Sequence, residues 1–288
     1  MADRGRAIAE AALHAAGLGP VRALHAIGGS DIAAAYRVES AAQRAFLKIG
    51  ARAHPFDAEA LALAEIAATR TLRVPQVFAQ DVVDDAGYLL LEWIDLVDEG
   101  DWAAAGRQLA AMHACVQASH GWSRENSIGA SAQHNFPSVN WAEFFREQRL
   151  RPQFALARAN RLWPLAALDE VACRASDALL AGHAPPPGLL HGDLWRGNLA
   201  FDHGGAPVVF DPASYYGDAE TDLAMTRLFG GFPERFHRAY AEASPPVSGT
   251  EDRLPLYQLY HVLNHANLFG GSYAAQAAEL IGQIEKHR

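Results

Sequence analysis

Lysine is nearly missing from this chain. Of its 24 basic residues only Lys48 and Lys286 are lysine, and the rest are arginine. Cysteine is as scarce, with Cys115 and Cys173 alone, which excludes a disulfide-dense secreted scaffold and a cysteine-based structural zinc site. Positive charge is short overall: 24 Lys+Arg against 33 Asp+Glu leaves −9, where a nucleic-acid partner would want a basic surface. Asp3 and Glu10 interrupt the start before any apolar run, so no secretory leader is expected. The longest stretch free of Asp, Glu, Lys and Arg, Leu254 to Ala278, carries Gln258, His261, Asn264, His265 and Asn267, too polar for a membrane span. These absences point to a cytoplasmic protein without nucleic-acid or membrane partners. Three motifs are absent too: G-x-x-x-x-G-K-[ST], G-x-S-x-G and H-E-x-x-H.

What is present divides the chain. With 288 residues, half of them hydrophobic, there is material for two lobes at about 150 residues each. The first part alternates strand and helix: a helix over 3–16, strands over 21–27, 36–39 and 44–49, a helix over 57–70 and a hairpin over 77–83 and 87–92. In the third strand Phe46 and Lys48 share one face, Leu47 and Ile49 the other. From residue 101 helices dominate, at 101–118, 140–160 and 165–181. Asn140 followed by Glu143 reads as a capping box. A small β island over 189–210 interrupts, and helices resume at 219–229, 233–243, 251–268 and 273–287. The expected class is α+β: a small antiparallel-sheet lobe over 1–93, a hinge at 92–95, and a mostly helical lobe over 94–288.

The residues with chemistry are Leu190-His191-Gly192-Asp193-Leu194-Trp195-Arg196-Gly197-Asn198, followed by Val209-Phe210-Asp211. Phosphoryl transfer needs a carboxylate to take the proton of the attacking hydroxyl, and oxygen ligands to hold Mg²⁺ against the phosphates. Asp193 suits the first task. Asn198, five residues on, and Asp211, at the end of a strand, suit the second. A lone Asp in a turn would be ordinary; three polar groups in this order with β segments between them are not. Lys48 on its strand is then the candidate phosphate partner, since Arg replaces a flexible point charge poorly. Glu59 and Glu65 compete to orient it. Gly28, Gly29 and Ser30 sit where a phosphate-covering loop would come, though they read equally well as a hairpin turn. Glu92, Trp93 and Ile94 follow an apolar strand, where backbone groups would meet adenine. His261 and His265, spaced i, i+4, read as packed helix histidines.

The chain resembles the fructosamine kinase (ketosamine kinase) family, a branch of the aminoglycoside-phosphotransferase-like, protein-kinase-like fold. The stretches that carry the resemblance begin with Phe56-Asp57-Ala58-Glu59-Ala60, Phe144 to Pro152 and the His191-to-Asn198 loop. They continue through Phe210 to Ala213, Tyr216-Gly217-Asp218, Asp222 to Met225, Leu228 to Phe232 and Leu263 to Gly271. The resemblance favours Glu59 over Glu65 and implies ATP and Mg²⁺ as cofactors. It implies transfer to the 3-hydroxyl of a small-molecule or protein-bound ketosamine, leading to deglycation. It further implies that Trp195, Asp218 and His265 face the acceptor and that Asp222 braces the catalytic loop. Two features depart from the family. Residues 28–35 hold no cysteine, so a monomer without a redox-linked dimer is expected, and Arg196 stands where a small residue is common, at the lip of the acceptor site. The rival readings are a kinase for an aminoglycoside or choline-like alcohol, and an inactive binding module of the same fold.

Overall fold

A computed structural model describes residues 2–27, 33–51 and 56–286. The expected phosphate-covering residues Gly28, Gly29 and Ser30 lie outside them. Helix α1 (Ala2–Ala15) precedes strands β1 (Val21–Ile27), β2 (Ala34–Ser40) and β3 (Arg44–Ala51). Helix α2 (Phe56–Thr69), the hairpin β4 (Val77–Val83) and β5 (Ala86–Glu92), and the short β6 (Leu96–Val97) follow. Next come α3 (Trp102–His113), the hairpin β7 (Asn126–Ile128) and β8 (Ser131–Gln133), and α4 (Trp141–Phe145). A π-helical turn (Arg146–Leu150), α5 (Arg151–Ala159) and α6 (Asp169–Leu179) continue the chain. Four short strands, β9 (Gly188–Leu189), β10 (Leu199–Asp202), β11 (Pro207–Val209) and β12 (Tyr216–Gly217), then lead to the last helices. These are α7 (Glu220–Leu228), α8 (Glu234–Ala243), α9 (Thr250–Phe269) and α10 (Tyr273–Lys286). The architecture is α+β, as the composition and patterning predict.

The chain forms two compact units, Met1–Asp101 with Ala200–Asp211, and Trp102–Leu199 with Pro212–Arg288. This differs from a single cut after residue 93. Strand β6 pairs with β10, Val97 opposite Phe201 and Leu96 opposite Asp202, so the β10–β11 hairpin joins the first unit although its sequence lies a hundred residues away.

In the first unit an antiparallel sheet runs in the order β1-β2-β3-β5-β4. The alternation read in β3 holds: Leu47 is fully buried, and Ile49 packs beside it in a core with Ile8, Ala9, Ala12 and Leu13 of α1. Phe46 and Lys48 are left on the opposite face, as period-2 geometry requires. The β4–β5 turn is just Asp84-Asp85, with Asp84 at a φ of 55°, the left-handed conformation that two-residue hairpins demand.

In the second unit Asn140 caps α4 by accepting the N–H of Glu143 at 3.1 Å, the bond expected of the capping pair. The helix predicted over 140–160 is interrupted by the π turn. Pro152 has no N–H, so the Gln148 carbonyl loses its ordinary helical donor. The guanidinium of Arg149 supplies a replacement, Nη1 donating to Gln148 O at 2.9 Å. Arg149 is itself fully buried, its guanidinium 3.9 Å from the centre of the Tyr215 ring and 4.8 Å from that of Phe144.

Candidate active site

The first unit carries one half of the expected machinery. Lys48 Nζ donates to Glu59 Oε1 at 2.7 Å, and to Asp211 Oδ1 at 2.5 Å. Glu59 comes from the first turns of α2, whose Phe56, Ala58, Ala62 and Leu63 are buried and fix the register of its polar side. Burial alone would strip the Lys48 proton, but the charges of Glu59 and Asp211 outweigh it and push the ammonium above the ordinary lysine range. Lys48 is therefore cationic at any physiological pH. Asp211 follows β11 with a φ of 58°, a left-handed backbone uncommon for a side-chain-bearing residue and typical of functional turns.

The side chains at the expected adenine site are committed elsewhere. Glu92 accepts from Arg73 at 2.9 Å and from the N–H of Gln76 at 3.2 Å. Trp93 donates through Nε1 to Asp95 at 2.8 Å and lies between the guanidinium groups of Arg37 and Arg44, 5.8 and 5.9 Å away. The side chains of Glu92 and Trp93 are thus engaged within the fold.

The second unit carries the other half. Asp222 on α7 is buried and accepts from the N–H of His191 at 2.7 Å and of Gly192 at 2.8 Å. Behind it, His113 Nε2 lies 3.1 Å from Asp222, and His113 Nδ1 lies 2.8 Å from Tyr240 Oη. Burial keeps Tyr240 protonated far above neutral pH, and its hydroxyl and the Asp222 carboxylate hold the His113 ring from both sides. Burial would raise Asp222 as well, yet the His113 bond, nearby imidazole charge and the Gly192 N–H more than offset it and hold the carboxyl below its usual range. An anion thus anchors the His191–Asn198 loop by its backbone. Gly192, at a φ of 83°, passes so close to Ala213 that a Cβ would lie 2.1 Å from its carbonyl oxygen; only glycine fits.

Within the loop Asn198 Nδ2 donates to the Asp193 carbonyl at 2.8 Å and to its Oδ2 at 3.3 Å. The five-residue spacing is therefore a closed clamp. With its amide nitrogen spent, Asn198 has its carbonyl oxygen left for a hard cation. On the first unit the half-exposed Asp211 carboxylate is likewise an oxygen donor. Each donor, taken by itself, is of the kind Mg²⁺ takes.

The acceptor-side residues come out differently. Trp195 is 42% exposed, its ring folded over Gly197. Arg196 does not reach outward: Nη1 donates to Leu199 O at 2.5 Å, and the guanidinium lies 5.1 Å from the Trp102 ring. Asp218, expected to face the acceptor, is buried instead. Its oxygens take Tyr257 Oη at 2.6 Å, the N–H of Glu220 at 3.0 Å, and His183 Nε2 at 2.7 Å. Glu220 is gripped by Arg253 through Nε at 2.8 Å and Nη2 at 2.7 Å. The ligand atoms of His183, Asp218 and Glu220 lie within 4.8 Å of one another, but Arg253 already supplies the positive charge there. The carboxylates of Asp218 and Glu220 are thus both engaged within the fold. His265 is half-buried on α9.

Sequence reasoning missed the His113–Tyr240 support behind Asp222. Its one sequence signal was a histidine beside the apolar Leu109 and Met112 on α3. It also missed the β7–β8 hairpin. Gln133 Nε2 donates there to Ala213 O and Asn126 Nδ2 to Ser214 O, each at 2.9 Å, tying down the chain just past Asp211.

The fructosamine kinase family model matches residues 6–287. The chain belongs to the fructosamine kinase family. A protein of Synechocystis sp., provisionally named a ketoamine kinase, is 43% identical over 265 residues, spanning 89% of this chain and 88% of its own. The chloroplastic protein-ribulosamine 3-kinase of Arabidopsis thaliana is 38% identical over 88% of this chain and 80% of its own. A solved structure from Thermobifida fusca, provisionally called a fructosamine-3-kinase, superposes with a TM-score of 0.85 at 35% identity, covering 98% and 99% of the two chains. Streptococcus pneumoniae choline kinase shares the fold, with a TM-score of 0.67 at 12% identity over 98% and 99% of the two chains. This member of the fructosamine kinase family thus has a protein-kinase-like fold, with Lys48, Glu59, Asp193, Asn198 and Asp211 each placed on it.

Proposed function

We propose that the protein is an ATP- and Mg²⁺-dependent kinase that phosphorylates the 3-hydroxyl of ketosamines, the adducts of ribulose- or fructose-type sugars with amines or protein lysines. The clamp of Asn198 on Asp193, in a loop hung from the buried Asp222, carries this reading. It leaves one carboxylate held where an incoming hydroxyl can deliver its proton. Asp193 takes that proton as the hydroxyl oxygen bonds to the γ-phosphorus, and the bond from that phosphorus to the bridging oxygen of ADP breaks. Lys48, kept protonated by Glu59, offsets charge on the phosphates. Asn198 and Asp211 would hold Mg²⁺, which when bound neutralises the charge building on the phosphate oxygens. Gly28, Gly29 and Ser30 are proposed to cover the phosphates, and the backbone of 92–94 to meet adenine. Trp195 is proposed as an acceptor wall. A phosphate on the 3-oxygen leaves readily once the adduct enolises, and hydrolysis of the resulting imine frees the amine, so the chemistry amounts to deglycation.

The test is ATP consumption over a panel of free and protein-bound ketosamines, an aminoglycoside and choline, with phosphorus NMR of the product. Turnover of a ketosamine with phosphate on the 3-oxygen is the expected result. Efficient turnover of the aminoglycoside or choline alone overturns the acceptor and leaves the kinase standing. No turnover of any alcohol leaves an inactive binding module.

A further inference from the structure

Phosphoryl transfer as derived above gives no role to the near absence of lysine. The chemistry of a ketosamine does. Such an adduct forms without an enzyme when the lone pair of a primary amine attacks the aldehyde carbon of an open-chain aldose. Water leaves to give an imine. The imine nitrogen then gains a proton as C2 loses one, and the enol proton that results passes to C1, leaving a ketone at C2. Amine plus aldose thus becomes ketosamine plus water, with no oxidant or reductant. A lysine supplies the amine. Arginine does not, because its guanidinium stays protonated and has no nitrogen lone pair free to attack. All 24 basic residues except Lys48 and Lys286 are therefore closed to this reaction.

Bonding geometry alone does not call for so much arginine. Some positions do use the guanidinium fork. Arg253 grips Glu220 through Nε and Nη2, and Arg149 reaches His134 O and Asn135 Oδ1 from a fully buried position. Other positions do not use it. Arg158 meets Asp169 at 2.8 Å and Arg227 meets Glu251 at 2.9 Å, each through Nη1 alone and each on an exposed helix face. One nitrogen on an exposed carboxylate is a contact that a lysine ammonium makes as well. Arginine is present even where only a positive charge is required.

Of the two lysines the structure closes one. The Lys48 side chain is 13% exposed, and its Nζ is held by Glu59 at 2.7 Å and Asp211 at 2.5 Å. Two of the three directions in which that nitrogen bonds are taken by carboxylates, and burial narrows the third. Lys286 is the opposite case, exposed in the last turn of α10. We propose that the protein is closed to the modification it removes, with Lys286 the single side chain on which it can itself carry a ketosamine. Lys48, on which the handling of phosphate depends, stays free of sugar in the medium that generates the substrates. The purpose of this device rests on the ketosamine reading above; its chemistry does not.

Incubation of the intact protein with ribose, without ATP, followed by peptide mass spectrometry tests this. The amino-terminal peptide is scored apart, since a free α-amine reacts too. Sugar should appear on the Lys286 peptide and stay absent from the Lys48 peptide. In guanidinium chloride, where the fold opens, Lys48 should take sugar as readily as Lys286, which shows that the fold is what closes it. Lys286→Arg should leave the folded chain with no sugar on any side chain. Arg158→Lys and Arg227→Lys keep the charge and should each add one glycated position. Sugar on Lys48 of the folded chain at the rate of Lys286 overturns the proposal and leaves the kinase reading intact. New lysines at 158 and 227 that stay bare while Lys286 reacts overturn it as well, since arginine would then protect nothing. The map is read without ATP and needs no turnover. A failed ketosamine panel beside the expected map therefore removes the purpose and leaves the closed surface standing.

Discussion

At the scale of single residues, the candidate site was legible where chemistry leaves few substitutes. Lys48 stood out because the chain avoids lysine, and the structure gives it Glu59 and Asp211 as partners. Asp193 and Asn198 were readable from spacing, since a clamp closed within five residues is a local event. The burial of Asp218 was not legible because nothing local marks it. The His183 and Tyr257 that bury it lie 35 and 39 residues away and meet it only in the folded chain. The clamp gives a direct expectation for Asp193→Asn. Asparagine keeps the shape and still accepts from Asn198, but cannot take a proton, and such groups contribute about 10²–10⁴ in rate. Initial rates at saturating ATP should fall by that factor while KM for ATP holds. Near-normal turnover would remove Asp193 as the base.

Elements were predicted best where an apolar stripe repeats at one period. The sheet β1–β5, α2 and the four last helices have such stripes, and their expected and observed limits differ by one or two residues, within ordinary fraying. The β7–β8 hairpin escaped because its alternation is inverted: Asn126 and Gln133 point inward, polar where the pattern leads one to look for valine. These two amides are buried so that they can hold backbone carbonyls. Gln133 accepts from Tyr260 Oη at 2.7 Å while donating to Ala213 O and to Asn126 Oδ1. Gln133→Leu keeps the volume but strands Tyr260 Oη and Ala213 O, while Asn126 Oδ1 keeps Asn135 Nδ2 at 2.8 Å, a loss of about 1–3 kcal/mol for each buried group left unsatisfied. Chemical denaturation should show the midpoint falling with the slope unchanged. A shift smaller than the scatter between repeats would mean that the hairpin is not a brace.

For the whole molecule, the long-range facts were those that sequence pattern cannot carry, such as the β10–β11 hairpin joining the first unit through β6. With no cysteine in residues 28–35, redox indifference is expected. Cys173 is buried, its thiol pushed up to about 12 by burial and by Asp169, and Cys115 is half-buried. Mild oxidants and reductants should leave activity unchanged on assays run beside non-reducing gels. A reversible oxidised dimer with an altered rate would contradict this.

Acid stability is where distant histidines act together on the fold. His120 is buried against Trp141 and Phe144, with ring centres 4.9 and 6.2 Å away, and His261 is buried on α9; in both, Nδ1 has no partner among the described residues. Burial pushes His120 down to about 4 and His261 to about 3, from an ordinary value of 6.5. Between those values the unfolded chain binds protons that the folded one refuses. Stability is therefore full above about pH 6.5 and declines as pH falls toward 4, by up to about 1.4 kcal/mol per pH unit for each histidine. The carboxylates held low by their partners, Asp95, Asp202 and Asp222, add their loss only at lower pH, near and below their unfolded value of about 3.9. Two separate windows result. Thermal midpoints should already drop between about pH 6.5 and 4.5, before carboxylate protonation sets in. His120→Phe together with His261→Leu should lessen the loss through that upper window, where His237 and His265, also lowered by burial, still contribute, and leave the lower one in place. A double variant whose midpoints track the wild type through the upper window would assign the acid sensitivity to other groups.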